Sequence, residues 1–173
     1  SYIVRLNDMT NRLAEAPNRK NETARIALLL CYIKRRCNLF FSEKEAERLP
    51  TNELVVYFDE LGELAALAGV QVHASNTCGA ALPVRYATLL YDFLYDVIDW
   101  ASTSHCAVLL AYMTDEKTSV TLSLLPSADA LAYRMNPILC DAVKLAGVAL
   151  TVKDMDDVTG LSLTFAIGGD DHA

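Results

Sequence analysis

Three aspartates follow one another along one side of a predicted helix and could together bind a divalent cation. Asp92, Asp96 and Asp99 are spaced i, i+4 and i+7 within residues 83–101, and this spacing places their side chains along one edge of a helix. Carboxylate oxygens are the ligands that Mg²⁺ prefers. A solvated acidic face is the other interpretation, because the side of a helix opposite its apolar stripe normally faces water. The sequence leaves both interpretations open.

The helix that carries these aspartates is predicted to be the core helix of the protein. Pro83 opens it, at a position where a missing N–H costs a helix nothing, and no glycine interrupts it. Its apolar residues recur with helical spacing and form a stripe broad enough to lie on a sheet: Ala87, Leu90, Phe93, Leu94, Val97, Ile98, Trp100 and Ala101.

Two other groups of side chains could carry chemistry or binding. Lys34, Arg35 and Arg36 could dock an acidic partner, or could end a helix by complementing its dipole. The five cysteines form no CxxC motif and have no ligand spacing with the three histidines. We therefore expect reduced thiols, as in a cytoplasmic protein, and no metal site.

Composition limits the class of protein. The 173 residues are 53% hydrophobic and 21% charged, which indicates a globular chain of one domain, or of one domain with a helical appendage. A formal charge of −7 argues against general nucleic-acid binding, which needs a basic face. No apolar run reaches the length of a membrane span. Because the chain opens at Ser1 without a signal peptide, we expect a cytoplasmic protein, or the cytosolic fragment of a longer membrane-bound protein.

The pattern of elements predicts a helical hairpin followed by an α/β sandwich. Helices are predicted at 2–17, 22–41, 42–49, 51–69, 83–101 and 137–146, the third from a capping pattern at Ser42 and Glu45. Strands are predicted at 70–74, 105–113, 118–125, 148–153 and 161–167, with a hairpin turn at 115–117. The fold class is therefore α+β: the hairpin, over 1–69, precedes a two-layer sandwich with a mixed sheet, over 70–173.

This order resembles the transmitter region of bacterial sensor histidine kinases, in which a dimerisation and phosphoacceptor hairpin precedes an ATP-binding domain of the GHKL type. Residues 22–30, ETARIALLL, look like the ExxRIAxxL segment that the family places before its histidine. Residues 89–101 look like the helix that carries the nucleotide asparagine, and 146–148 with the last two strands look like the closing sheet. The resemblance implies a two-component signalling protein with a response regulator or sensor domain as partner.

The departures from the family pattern predict a degenerate module. The phosphoacceptor position falls on Cys31 and Tyr32, and residues 1–72 contain no histidine, which excludes the family's usual phosphoacceptor and leaves Cys31 as the alternative one. Asp96 falls where the resemblance places the magnesium-binding asparagine, and Asp92 where it places its acidic partner. Asp129 falls at the adenine loop, but residues 80–146 contain no glycine to approach a phosphate.

Three functions are compatible with this pattern. The first is an inactive histidine-kinase-like transmitter, without ATP or Mg²⁺, that forms a homodimer through helices near 22–68 and binds a protein partner. The second is a divergent active histidine kinase or ATPase that binds Mg-ATP by a loop different from the family's. The third is an interaction module of unrelated architecture. We predict the homodimer from the apolar face of Ala24–Leu30, because a helix that is apolar on several sides needs a partner.

Overall fold

The computed structural model describes residues 2–79, 81–116, 118–155 and 158–167, and the side chains of Asp154, Met155 and Val158 lie outside the description. Its helices are α1 (Tyr2–Arg12), α2 (Arg19–Glu45), α3 (Thr51–Leu67), α4 (Val84–Ala101) and α5 (Pro137–Leu145), with a 3₁₀ turn at Ala130–Ala132. Its strands are β1 (Arg48–Leu49), β2 (Gln71–Asn76), β3 (Leu82–Pro83), β4 (Val108–Glu116), β5 (Ser119–Pro126), β6 (Thr151–Met155) and β7 (Val158–Ala166).

The main sheet is mixed and has the order β2-β4-β5-β7-β6. β2 is parallel to β4, and the other neighbouring pairs are antiparallel. One face of the sheet is apolar and buried, through Leu122 and Leu124 of β5 and their neighbours on β4 and β7. The other face carries hydroxyl pairs between β5 and β7, such as Thr121 with Thr164 at 2.9 Å. Helices therefore cover one face of the sheet, and the predicted two-layer α+β architecture is confirmed.

α4 is the central helix, as the sequence predicts. Twelve of its 18 residues are buried, and the helix packs against α2, α3, α5 and the sheet. Pro83 stands at the position before its first turn. The short pairing of β1 with β3 fixes that start to the connection between α2 and α3, since Leu49 pairs with Leu82. One continuous hydrophobic core extends from Leu28 in α2 to Phe165 in β7.

Two helices end next to a glycine with a positive φ. α3 ends before Gly69, whose φ is +90°, and the Val70 N–H donates to the carbonyl of Ala65. α5 ends before Gly147, whose φ is +73°. Glycine adopts this left-handed conformation without the steric cost that a Cβ brings, so each residue stops its helix.

Several predicted boundaries are wrong. Residues 42–45 do not begin a third helix: α2 continues to Glu45, and the Ala46 N–H bonds to the Ser42 carbonyl, because no proline or glycine breaks the run. α1 ends at Arg12 instead of 17. Asp115 and Glu116 are paired in β4 rather than placed in the turn, whose third predicted residue, Lys117, lies outside the described residues. Residues 156–157 and 168–173 also lie outside them.

In the described part of the chain, no helix combines the length and the apolar character that crossing a bilayer requires.

Candidate functional site

The three aspartates of α4 lie at the contact between α4 and the rest of the chain, and each carboxylate has protein partners. Tyr32 of α2 donates its hydroxyl hydrogen to Asp92 at 2.8 Å. The Nε of Arg36, one turn further along α2, lies 2.9 Å from the same carboxylate. Only 13% of the Asp92 side chain is exposed, and this burial raises the pKa of the carboxyl group, against the effect of Arg36. Asp92 is thus part of a packed contact and not of a solvated edge.

Tyr32 occupies one of the two predicted phosphoacceptor positions, and its ring is buried. It stacks on Tyr95 and Tyr91 of α4, with centroid distances of 3.9 Å and 5.6 Å, and meets the ring of Tyr2 edge-on. Burial and the nearby charge of Asp92 raise the pKa of the Tyr32 hydroxyl. The group is therefore a neutral phenol that donates a hydrogen bond, and it is poorly suited to be a nucleophile.

Cys31, the other predicted phosphoacceptor position, is half-buried. Burial raises the pKa of its thiol, and the negative charge of Glu60 acts in the same direction. Since the thiolate is the reactive form of cysteine, both effects reduce its nucleophilic reactivity.

Asp96 lies opposite the segment that follows β5. The hydroxyl of Tyr133 donates to its Oδ2 at 2.6 Å, and the backbone N–H of Asn136 donates to the same oxygen at 3.0 Å. Tyr133 is buried, with its ring edge-on to Phe93 and Trp100. Burial raises the pKa of the Asp96 carboxyl group, although both hydrogen bonds oppose this shift. Tyr133 thus lies against α4 at Asp96, and we call the space between α4 and residues 127–136 the crevice.

Asp99 joins α4 to the N-terminal helices. Its carboxylate accepts a hydrogen bond from Arg5 of α1 at 2.5 Å, and a terminal nitrogen of Arg25 of α2 lies 3.6 Å away. The acidic edge of α4, for which the sequence left a solvated face and a cation site both open, is therefore distributed over three contacts: one with α2, one with the loop before α5 and one with α1.

The side chains that the resemblance assigns to Mg-ATP have other partners in this structure. Among the described residues, no group of three His, Cys, Asp or Glu side chains is placed to hold a metal ion. Oδ2 of Asp96 accepts hydrogen bonds from Tyr133 and Asn136. Asp129, the predicted adenine-loop residue, caps the 3₁₀ turn by accepting from the Leu131 N–H at 2.9 Å. The segment between Gly79 and Gly147 provides no glycine for a phosphate cradle.

The cationic cluster is divided between different contacts. Lys34 is exposed. Arg35 forms a bidentate ion pair with Glu60 of α3, and its guanidinium group lies over the ring of Tyr57. Arg36 pairs with Asp92. The cluster does not end a helix, because α2 continues nine residues beyond Arg36 to Glu45. Of the three side chains, only that of Lys34 is fully presented to solvent.

Sequence reasoning missed the partners of these residues. Tyr133, Arg5 and Glu60 carry no local motif, and Arg25 was noted only as part of the segment 22–30. All four meet α2 or α4 from 25 to 94 residues away. One local signal was available: Tyr91 and Tyr95 are spaced i, i+4, so that they form an aromatic strip beside Asp92.

Comparison with known proteins identifies the fold. No protein-family model and no curated protein sequence matches the chain. Among solved structures, it is similar to the histidine kinase domain of the blue-light activated histidine kinase from Erythrobacter litoralis EL346, with a TM-score of 0.59 and 11% identity over 95% of this chain and 83% of that one.

Two further solved structures are similar to this chain in the same way. The Acinetobacter baumannii histidine kinase AdeS matches with a TM-score of 0.55 and 11% identity, over 98% of this chain and 96% of that one. The catalytic domain of the histidine kinase ThkA matches with a TM-score of 0.55 and 11% identity, over 69% of this chain and 94% of that one. The chain therefore has the fold of histidine kinase domains, a helical hairpin joined to a GHKL-type α/β sandwich.

Proposed function

We propose that this chain is a histidine-kinase-like signalling module that acts by dimerising and by binding a protein partner, without phosphotransfer. The observation that carries the proposal is the contact of Tyr32 with Asp92. The resemblance places the phosphoacceptor position on Cys31 and Tyr32. Tyr32 is here a buried phenol that is hydrogen-bonded to the core helix, and Cys31 is a half-buried thiol whose pKa is raised by burial. A phosphoacceptor has to be reached by the γ-phosphate, and a side chain used for packing cannot be reached in this way.

The residues to which the resemblance assigns nucleotide binding support the same proposal. Phosphoryl transfer depends on positioning and on charge stabilisation of the phosphates, usually by a glycine-rich backbone and Mg²⁺. Here Tyr133 lies in the crevice, and the carboxylate of Asp96 accepts hydrogen bonds from Tyr133 and from the loop before α5. We infer that the module binds neither ATP nor Mg²⁺.

The competing function is a divergent active histidine kinase or ATPase that holds Mg-ATP by another route. Asp96 favours it, because this carboxylate lies on the crevice and Tyr133 belongs to a single loop segment whose displacement would free it. In that case Asp92, Asp96, Asp99 and Asp129 would be the residues to examine first.

Titration with a fluorescent ATP analogue in the presence of Mg²⁺ separates the two functions. For the wild-type chain we expect no saturable binding in the micromolar range and no incorporation of phosphate from radiolabelled ATP. Saturable binding that is lost in Asp96→Asn, but kept in the control Asp141→Asn on the exposed side of α5, would establish the competing function. Tyr133→Ala is informative as well, because it empties the crevice without removing a carboxylate.

We further propose that two parts of the chain have different roles in signalling. Residues 1–69 would form the dimerisation unit and residues 70–173 the ATPase-like unit. The partner would be a response regulator or a sensor domain in the cytoplasm. Lys34, which is exposed on α2, is the member of the predicted partner-binding cluster that remains available to such a partner.

A further inference from the structure

A cavity of about 480 Å³ lies between α2, α4 and α5, away from the crevice beside Asp96. Its walls include Arg36 and Glu43 of α2, Arg85, Tyr86 and Leu89 of α4, and Leu145 of α5. Thr88, on the α4 wall, precedes Asp96 by eight residues, or about 12 Å along the helix axis. A cavity of this volume is within the range of small-molecule sites, which often lie where separate units of a protein meet.

The charge of the cavity differs from the charge of the protein. Its lining holds two arginines and one glutamate, a net charge of +1, whereas the whole chain carries −7. Among the described residues, Arg36 contacts Asp92 through Nε only, and its two terminal amino groups remain available. Arg85 is exposed, lies over the ring of Tyr86 and donates only to the hydroxyl of that residue.

The rest of the lining offers apolar contact and an unsatisfied polar group. Leu89 is buried on one wall, and Leu145 is 90% exposed at the end of α5. The hydroxyl of Thr88 is buried without a hydrogen-bond partner among the described residues, which costs stability unless something else pairs with it. Two guanidinium groups beside an apolar wall match a ligand with an anionic group and an apolar body.

We propose that this cavity binds a small organic anion, whose phosphate or carboxylate group is held by Arg36 and Arg85 and whose apolar part lies against Leu89 and Leu145. Guanidinium groups suit both anions because their N–H donors form parallel pairs of hydrogen bonds. Arg36 belongs to α2 and also holds Asp92 of α4, and Arg85 belongs to α4. A ligand bound to both arginines would therefore strengthen the contact between α2 and α4. This inference goes beyond the proposed function and does not depend on it.

Calorimetric titration with three probes tests the site: phenyl phosphate, benzoate and inorganic phosphate. We expect saturable millimolar or tighter binding of phenyl phosphate or benzoate, whichever anion the site prefers. Binding of inorganic phosphate should be weaker, because it lacks the apolar body. In Arg85→Ala the affinity should fall at least about tenfold, the effect of losing a hydrogen bond to a charged group. Arg85→Lys should recover only part of it.

Arg12→Ala is the matched control, because it removes one positive charge from an arginine side chain that is 77% exposed on α1. It should bind the probes as the wild type does. Amide NMR should also place the perturbed signals at the start of α4 and the end of α5. Absence of saturable binding to all three probes, or equal affinity in Arg85→Ala and the wild type, would overturn the proposal. Perturbation confined to the crevice around Asp96 would overturn it too.

Discussion

The ring of Tyr32 stacks on that of Tyr95 with the centroids 3.9 Å apart and the planes inclined by 15°. This contact joins the hairpin to the core helix, and the hydrogen bond from Tyr32 to Asp92 lies beside it. The position that resembles a phosphoacceptor site is thus one of the most heavily packed positions of α2. Stability measurements on this residue should report on how firmly the two parts are held together.

Shortening Tyr32 should separate its packing from its hydrogen bond. Tyr32→Phe keeps the ring but removes the donor to Asp92, which retains Arg36, so we expect a loss of about 1–2 kcal/mol in the free energy of unfolding. Tyr32→Ala also removes the ring and should cost about 3–5 kcal/mol. Urea unfolding of both variants measures the difference. Equal losses would mean that the stacked rings contribute little.

The buried carboxyl group of Asp92 should make stability depend on pH in an unusual direction. Its pKa is raised above 3.8 in the folded protein, mainly by desolvation. Between pH 3.8 and that raised pKa, the folded state binds more protons than the unfolded state, so Asp92 contributes more stability as the pH falls through the folded pKa. The free energy of unfolding of the wild type minus that of Asp92→Asn should therefore be smallest at pH 7 and should increase toward pH 4. The expected increase is about 1.4 kcal/mol for each unit by which the pKa is raised.

Urea unfolding at several pH values measures this difference, and carboxyl NMR titration of Asp92 gives the pKa directly. A midpoint at or below the ordinary aspartate value, or a difference that shrinks as the pH falls, would contradict the prediction. Asp141→Asn serves as a control, because it removes an exposed carboxyl group of α5 and leaves Asp92 with its partners Tyr32 and Arg36 in place.

The parts of the fold that the sequence predicts are those determined by local pattern. The apolar stripe of α4 contains enough buried residues to identify the central helix without any tertiary information. Gly69 and Gly147 mark helix ends because each adopts a positive φ. Alternation in β5 predicts a sheet with one buried face. The order of these elements was sufficient for the resemblance to histidine kinases.

The candidate site could not be predicted in the same way, because its contacts join distant segments. Asp96 and Tyr133 are 37 residues apart, and neither the spacing of the acids nor the composition of the loop indicates that they meet. The spacing i, i+4, i+7 does show that three carboxylates share an edge, but it cannot distinguish water, a cation or arginines as their neighbours. Arg5, Arg25 and Arg36 are those neighbours for Asp99 and Asp92.

Helix α1 packs on the core through Leu6 and Met9, and two further side chains, Arg5 and Tyr2, join it to α4 and α2. Arg5 pairs with Asp99, and the ring of Tyr2 lies edge-on to those of Tyr32 and Tyr95, at 5.0 Å and 6.4 Å. Both members of the ion pair are partly exposed, so Arg5→Ala should cost about 1 kcal/mol locally. That loss corresponds to roughly fivefold faster amide exchange across α1, with little change in α3.

Hydrogen exchange followed by mass spectrometry measures the effect on α1. Arg12→Ala is the control, because within the described part of the chain Arg12 pairs only with Asp8 of the same helix, and both side chains are largely exposed. Equal acceleration in the two variants would mean that Arg5 has no special role in holding α1.

The homodimer can be tested through apolar residues that the hairpin leaves exposed. The homodimer was predicted from the face at Ala24–Leu30. Three residues of this face are buried within the chain: Ala24, Leu28 and Leu29. Exposed apolar side chains nevertheless remain on both helices, spaced eleven residues apart in each: Leu30 and Phe41 on α2, Val56 and Leu67 on α3. Eleven residues are close to three helical turns, so each pair lies on one face. Two hairpins that bury these faces against each other would form a four-helix bundle.

Light scattering after size exclusion should therefore give the mass of a dimer for the wild type. Phe41→Glu should give the mass of a monomer, because it would place a charge within the dimer contact. Ile138→Glu is the matched control, since Ile138 is 70% exposed on α5 and lies outside the hairpin. A wild-type monomer at high protein concentration would rule out dimerisation through the hairpin. Dissociation by Ile138→Glu alone would place the dimer contact on α5 instead.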